Sequence, residues 1–315
     1  MSNIINALGF NWNSAVKPLP PMQTAPPDPI LPHYNSSMWN PDNVFVEDGM
    51  LCMQIAQNSG YVYDINTQQY LPYNPNKQEP QDPDAPNNNY QEWASSRMEL
   101  VIPSGKMLSY GKYTVTLKAL GTANPVRNWK FFFRENFNIQ LGIQIRNSQP
   151  VYDYQTSKDF ELINLGCKNM NPRSPESWIS QQPGGPKISN AQMSMQPWRN
   201  PNGTIRWDNL KRIRIEPKKM SADGLITIAS DWQSDQVPVK TYAAYGDYNS
   251  ENFPYSDPDT ITWQSAAASQ QHVPTADDTA TFWMSLFSWG VPGSRMAVKF
   301  GMTNICMPEF SDKPA

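Results

Sequence analysis

Histidine and cysteine are nearly missing from this chain. Its 315 residues hold two histidines, His33 and His272, and three cysteines, Cys52, Cys167 and Cys306. Two histidines leave no material for a histidine-rich metal centre and argue against a relay built on imidazole. Three widely spaced cysteines match neither a disulfide framework nor a zinc pattern, so buried free thiols are expected. Charge is scarce as well: 17% of residues are Asp, Glu, Lys or Arg, and the formal net charge is −3. The one basic word, Lys211-Arg212-Ile213-Arg214, is split by an apolar residue. It reads as an exposed edge strand, and nucleic acid is not an expected partner. No run is long and apolar enough for membrane insertion. Residues 1–21 show no basic segment followed by an apolar one. The expectation is synthesis inside the cell without a classical signal peptide, with virion association or release by lysis as the route outward. No helical pattern longer than two turns, no heptad and no internal repeat is visible.

Proline, tryptophan and neutral polar residues are plentiful. Thirty Pro and 11 Trp imply many turns and much aromatic surface. Residues 1–40 contain Pro18, Pro20, Pro21, Pro26, Pro27, Pro29 and Pro32, and read as an extended arm that lies on its own domain or on neighbouring copies. Residues 41–310 read as a single sandwich domain, and 311–315 as a tail. Asp48-Gly49 stands between the apolar runs 43–46 and 50–55, a hairpin signal. Further strands are expected at 97–102, 111–118, 128–133, 137–146, 159–165, 205–215, 225–229, 259–263, 281–287 and 296–300. In the second of these Tyr113, Val115 and Leu117 share one side. Residues 69–92 and 168–203 read as long loops. Many short strands separated by turn signals indicate an all-β antiparallel sandwich.

Asp159-Phe160-Glu161-Leu162-Ile163-Asn164-Leu165-Gly166 carries the chemistry. In a strand, Asp159 and Glu161 fall on one face and Phe160 and Leu162 on the other. Two carboxylates on one face suit glycoside hydrolysis.

Four words, in this order, resemble glycoside hydrolase family 16. They are residues 43–51 around Asp48-Gly49, residues 108–118 with Tyr110-Gly111-Lys112-Tyr113, the Asp159–Gly166 strand, and residues 283–290 from Trp283 to Gly290. The resemblance spans roughly 40–310 and implies a concanavalin A-like jelly-roll sandwich. It also implies a retaining mechanism in which one carboxylate attacks, a second protonates the leaving group and an acid between them tunes the pair. Aligned on Leu165-Gly166, Asp159 takes the nucleophile position, Glu161 the middle one, and Ile163 the acid/base position. Aligned on Asp159-Phe160-Glu161, Ser157 takes the nucleophile position. Either way one carboxyl is missing, and Asp153, Glu135 and Asp231 are the nearest replacements.

Two functions follow. One is a non-catalytic carbohydrate-binding or structural protein, such as a virion or surface-assembly component, with a polysaccharide or surface glycan as partner. The other is a divergent retaining endo-glycosidase acting on a β-linked polysaccharide. Trp129, Trp178, Trp263 and Trp289 are the candidate sugar-stacking residues. No cofactor is expected; Asp257, Asp259, Asp277 and Asp278 could at most hold a structural calcium ion.

Overall fold

A computed structural model describes residues 3–14, 40–57, 61–64, 69–72, 93–135, 139–147, 157–166, 189–198, 205–288 and 296–314. Chain order gives β1 (Ile4–Ala7), β2 (Phe10–Asn13), β3 (Val44–Glu47), β4 (Met50–Gln57), β5 (Tyr61–Asp64), β6 (Gln69–Pro72), β7 (Trp93–Ala94), β8 (Ser96–Leu100), β9 (Lys106–Met107) and β10 (Gly111–Leu120). Helix α1 (Pro125–Glu135) follows, then β11 (Ile139–Asn147), β12 (Asp159–Gly166), β13 (Ala191–Met195), β14 (Leu210–Ile213) and β15 (Leu225–Trp232). The chain continues through β16 (Lys240–Tyr245), β17 (Ile261–Gln264), β18 (Ala280–Ser288), β19 (Val298–Cys306) and β20 (Ser311–Asp312).

Two antiparallel sheets form a jelly-roll sandwich. The first runs β1-β2-β8-β18-β11-β12-β13-β14, the second β17-β16-β15-β10-β19-β4-β3 with β7 beside β4. Their inner faces meet through large rings. Tyr113 of β10 stacks on Phe282 of β18 at 6.2 Å, and Phe160 of β12 lies 6.3 Å from Trp232 of β15. Tyr113, Val115 and Leu117 all point inward, as their alternation requires. Asp48 and Gly49 both have positive φ and close the β3–β4 hairpin. Asp-Gly supplies that conformation at little steric cost.

Residues 128–133 are not a strand; they belong to α1, which is three turns long. Asn124 caps it: its Oδ1 accepts from Arg127 N at 2.9 Å, and Pro125 follows at the first helical position. Trp129, Phe132 and Phe133 share the i, i+3, i+4 face. Trp129 and Phe132 both contact Phe300 of β19, at 5.3 and 4.8 Å. Aromatic composition suggested a strand, and the Asn-Pro start signal outweighs it.

The opening of the presumed arm is part of the sandwich. The β1–β2 hairpin pairs with β8 through Trp12↔Leu100 and Asn13↔Glu99. Trp12 is fully buried and meets Phe282 edge-on at 6.1 Å. Within 168–203, Ala191–Met195 forms β13, a central strand of the first sheet. At the other terminus, β20 pairs with β9. The basic word falls on β14, which is indeed an edge strand. Its exposure is only partial, because Arg212 is buried on the same face as its register partner Gln192.

Candidate functional site

The site is built on the outer face of the first sheet, and a bulge decides its composition. Along β11, Ile143 and Gln144 are consecutive, yet their partners on β12 are Ile163 and Glu161. β13 reports the same extra residue: Glu161↔Ser194 and Asn164↔Gln192. An inserted residue resets which side chains face outward. Leu162 and Ile163 both sit in the core, and the outward sequence becomes Asp159, Glu161, Asn164. The position opposite Gly142, two pleats from Asp159, therefore holds Asn164, and Ile163 is withdrawn from the site altogether.

Cross-strand register arranges the face in rows. One row holds Thr281, Arg146 and Asp159. The next holds Glu99, Trp283, Gln144, Glu161 and Ser194. The third holds Arg97, Ser285, Gly142, Asn164, Gln192 and Arg212. Most of these side chains are shielded from solvent despite lying opposite the core, Asp159 and Asn164 at 2% exposure and Glu161 at 5%.

Glu161 is saturated. Its Oε1 accepts from Gln144 Nε2 at 2.9 Å and from Asn164 Nδ2 at 3.2 Å. Its Oε2 accepts from Gln192 Nε2 at 3.2 Å and from the Ser194 hydroxyl. A carboxylate has about four acceptor sites, and four donors from three strands fill them. This makes burial of the group tolerable. It also leaves Glu161 no lone pair with which to attack carbon or take a proton.

Asp159 and Asn164 flank it. Their partners on β11, Arg146 and Gly142, are four residues apart, so the two Cα atoms are roughly 13 Å apart along the strand. Asp and Asn are each one methylene shorter than Glu, which limits how far their tips can converge. A retaining hydrolase holds its carboxyls about 5–5.5 Å apart. An amide, moreover, cannot deliver a proton to a leaving group. The other outward acid in these rows, Glu99, is three strands from Glu161, roughly 14 Å. Glu135 ends α1, and Asp231 lies in the second sheet opposite Lys112 and Lys240. Neither belongs to this face. Asp153 lies outside the described residues.

The proposed sugar-stacking residues divide differently. Trp129 is wholly buried, and its indole N–H donates to Gly224 O at 2.7 Å, so it has no face to offer a ligand. Trp263 packs into the core from β17. Trp178 and Trp289 lie outside the described residues. The indole that does stand on this face is Trp283, which composition alone did not separate from the other tryptophans. Two guanidiniums lie over its ring, with Arg97 Cζ 4.3 Å and Arg146 Cζ 5.0 Å from the centroid. Strand register with Gln144 and Glu99 is the signal that places it.

Among the described residues no group of three or more His, Cys, Asp or Glu is placed to hold a metal. The four loop acids serve two separate turns: Asp257 accepts from Asp259 N at 2.8 Å, and Asp277 from Thr279 N at 2.8 Å.

No protein-family profile matches the chain, and no curated protein matches it. Solved structures are similar to it. A glycoside hydrolase family 16 endo-glucanase from Bacteroides ovatus has TM-score 0.46 at 9% identity, over 94% of each chain. The Bacillus licheniformis β-glucanase has TM-score 0.47 at 12% identity, over 98% of this chain and 96% of that one. The kappa-carrageenase of Pseudoalteromonas carrageenovora has TM-score 0.42 at 9% identity, over 86% and 84%. Likeness at this level carries no argument about chemistry. What the chain has, on its own strand pairing, is an antiparallel jelly-roll sandwich.

Proposed function

We propose that this protein is a non-catalytic glycan-binding protein whose site is the outer face of the first sheet. The observation that carries the proposal is the state of β12. Its central carboxylate is held by four donors, and the outward position beyond it is an amide. General acid catalysis contributes about 10²–10⁴-fold to such a reaction, and loss of the nucleophile would cost at least as much. What stays among the described residues is a dense set of amides, hydroxyls, guanidiniums and the Trp283 indole, which is recognition chemistry.

The face is shielded, so a ligand must gain access before it docks. Association should be slower than the usual 10⁵–10⁷ M⁻¹s⁻¹, of order 10⁴ or below.

A glycan-array screen of the purified protein, with reducing-end release measured on every hit, tests the proposal. Binding without release is the expected result. Release on any hit would convert the protein into a retaining endo-glycosidase with a carboxyl supplied from elsewhere. Silence in both assays would leave the sandwich as a structural building block. An assembly role for residues 1–40, in a virion or another surface layer, is a separate proposal. Mass measurement of cross-linked protein at rising concentration tests it, and a monomer at every concentration would sink it.

A further inference from the structure

The two large sheets end in four outer strands, β1 and β14 in the first and β3 and β17 in the second. An outer strand presents a row of unpaired N–H and C=O groups, and proteins blunt such edges with charges, prolines or bulges. Three of these four are blunted. β14 carries Lys211, whose Nζ donates to Thr262 O at 2.7 Å and so also occupies a carbonyl of β17. On β3 the Val44 N–H is taken by Pro41 O, and Glu47 at the end of the strand pairs with Lys299. β1 has no such guard. Residues 3–14 contain no charged residue and no proline, and the β1–β2 register runs without a bulge.

Register decides which groups β1 offers. Ser14 N donates to Asn3 O at 3.1 Å, so Asn3 and Ser14 form a hydrogen-bonded pair. Antiparallel pairs alternate, which makes Ile5 with Trp12 and Ala7 with Phe10 the next bonded pairs. The N–H and C=O of Ile4 and Asn6 therefore point to the open edge. Ile5 and Ala7 turn their side chains to the core, yet Ile5 is only half-buried. Ile4 is 46% exposed, and Val46 on β3, which lies against β1, is 49% exposed. The chain's own residues 15–32 make a poor strand to add here, because no stretch between their seven prolines exceeds four residues. A second copy brings an identical edge, free of proline and of like charge.

We infer that β1 pairs antiparallel with β1 of a second copy of this chain, joining the two first sheets into one across a two-fold axis. The axis passes between the two Ile5 residues. Ile4 of each copy then exchanges N–H···O=C bonds with Asn6 of the other, which gives two symmetric pairs of backbone bonds. Ile5 meets its counterpart as a non-hydrogen-bonded pair, with Cα atoms about 4.5 Å apart and side chains in contact. That contact covers the part of Ile5 that one copy leaves open. The axis is normal to the joined sheet, so both outer faces look the same way. The inference is independent of the glycan reading and of any assembly role for the proline-rich residues.

Sedimentation velocity of the full chain from about 1 to 500 µM tests it, a range suited to an edge contact below standard interface size. The mass should rise from 35.8 kDa toward twice that value. Asn6→Pro removes an outward N–H and no backbone bond of the single chain, and Ile4→Lys puts a charge on the edge. Each should weaken dimerisation about tenfold or more while leaving the far-ultraviolet circular dichroism of the parent. Phe131→Lys, at another exposed apolar site, should dimerise as the parent does. Ile5→Cys should give disulfide-linked dimers on mild oxidation, and the parent should not. A monomer at every concentration would overturn the inference and leave β1 to be covered by its own chain. A dimer that both edge variants leave intact, or that Ile5→Cys fails to cross-link, would overturn it too and place the contact elsewhere. None of these outcomes decides whether the protein binds a glycan, which the array tests separately.

Discussion

Glu161→Gln exchanges one carboxylate oxygen for an amide nitrogen and little else. Either placement of the new NH₂ turns it toward two donors, Gln144 and Asn164 on one side or Gln192 and Ser194 on the other. The second side is the cheaper one, because a hydroxyl can rotate and the Gln192 amide can flip. Two hydrogen bonds to a charged acceptor are lost, each about 1.5–3 kcal/mol, and repacking recovers part of that. The net cost should be about 2–4 kcal/mol, a drop of roughly 3–7 °C in melting temperature for a domain of this size. Thermal unfolding followed by circular dichroism measures it. Asp223→Asn, on an exposed turn, serves as the control and should stay within about 0.5 kcal/mol of the parent. Loss is expected because Glu161 is structural. An acid kept ionised and under-partnered for catalysis would give the opposite sign, since neutralising it relieves a buried charge. A melting temperature equal to or above the parent value would therefore refute the saturation argument and reopen hydrolysis.

Three further outcomes are expected. Asp159→Glu with Asn164→Glu lengthens both flanking side chains and restores a protonatable group; reducing-end release on a bound glycan should rise by about 10²-fold or more over the parent. No rise, with binding retained, would show that the two positions do not straddle a scissile bond. Trp129→Phe should lower stability by about 1–3 kcal/mol through the lost Gly224 bond and ring volume, while glycan affinity stays unchanged. A matching fall in affinity would put Trp129 back in the site. Burial holds the His272 imidazole below its ordinary value of 6.5, and Arg206 and Lys158 push the same way, against a weaker opposing bond to Ser157 O. A group whose folded pKa is depressed in this sense stabilises the neutral form, so stability is full above pH 6.5 and falls as pH drops below it. His272→Gln should flatten the melting-temperature profile between pH 7 and 5; an unchanged profile would remove His272 as its cause.

Much of the scaffold was legible in the amino-acid order. Tyr113, Val115 and Leu117 alternate, and they line the core. Asp48-Gly49 demands positive φ, and a hairpin turns there. Asp159 and Glu161 share a face because a strand has period 2. Local preference and tertiary structure agree at these places. They part at α1, where a run of aromatic residues reads as strand until the Asn124 cap and the i, i+3, i+4 face are weighed together. They part again at β1 and β2, whose docking on β8 depends on a pocket for Trp12 that is built by distant residues.

The identity of the third outward residue on β12 could come only from tertiary structure. Strict alternation puts Ile163 beside Glu161; the bulge puts Asn164 there. A bulge is a property of a pair of strands, and it exists in β12 because β11 and β13 each offer one residue fewer over the same span. The donors that fill Glu161 lie 3, 17, 31 and 33 residues away in sequence, and only pairing of three strands gathers them. The sequence by itself determined that this strand carries two acids and an amide. Which of its residues face the same way, and whether an acid there has any lone pair left to use, were decided by the register of its neighbours.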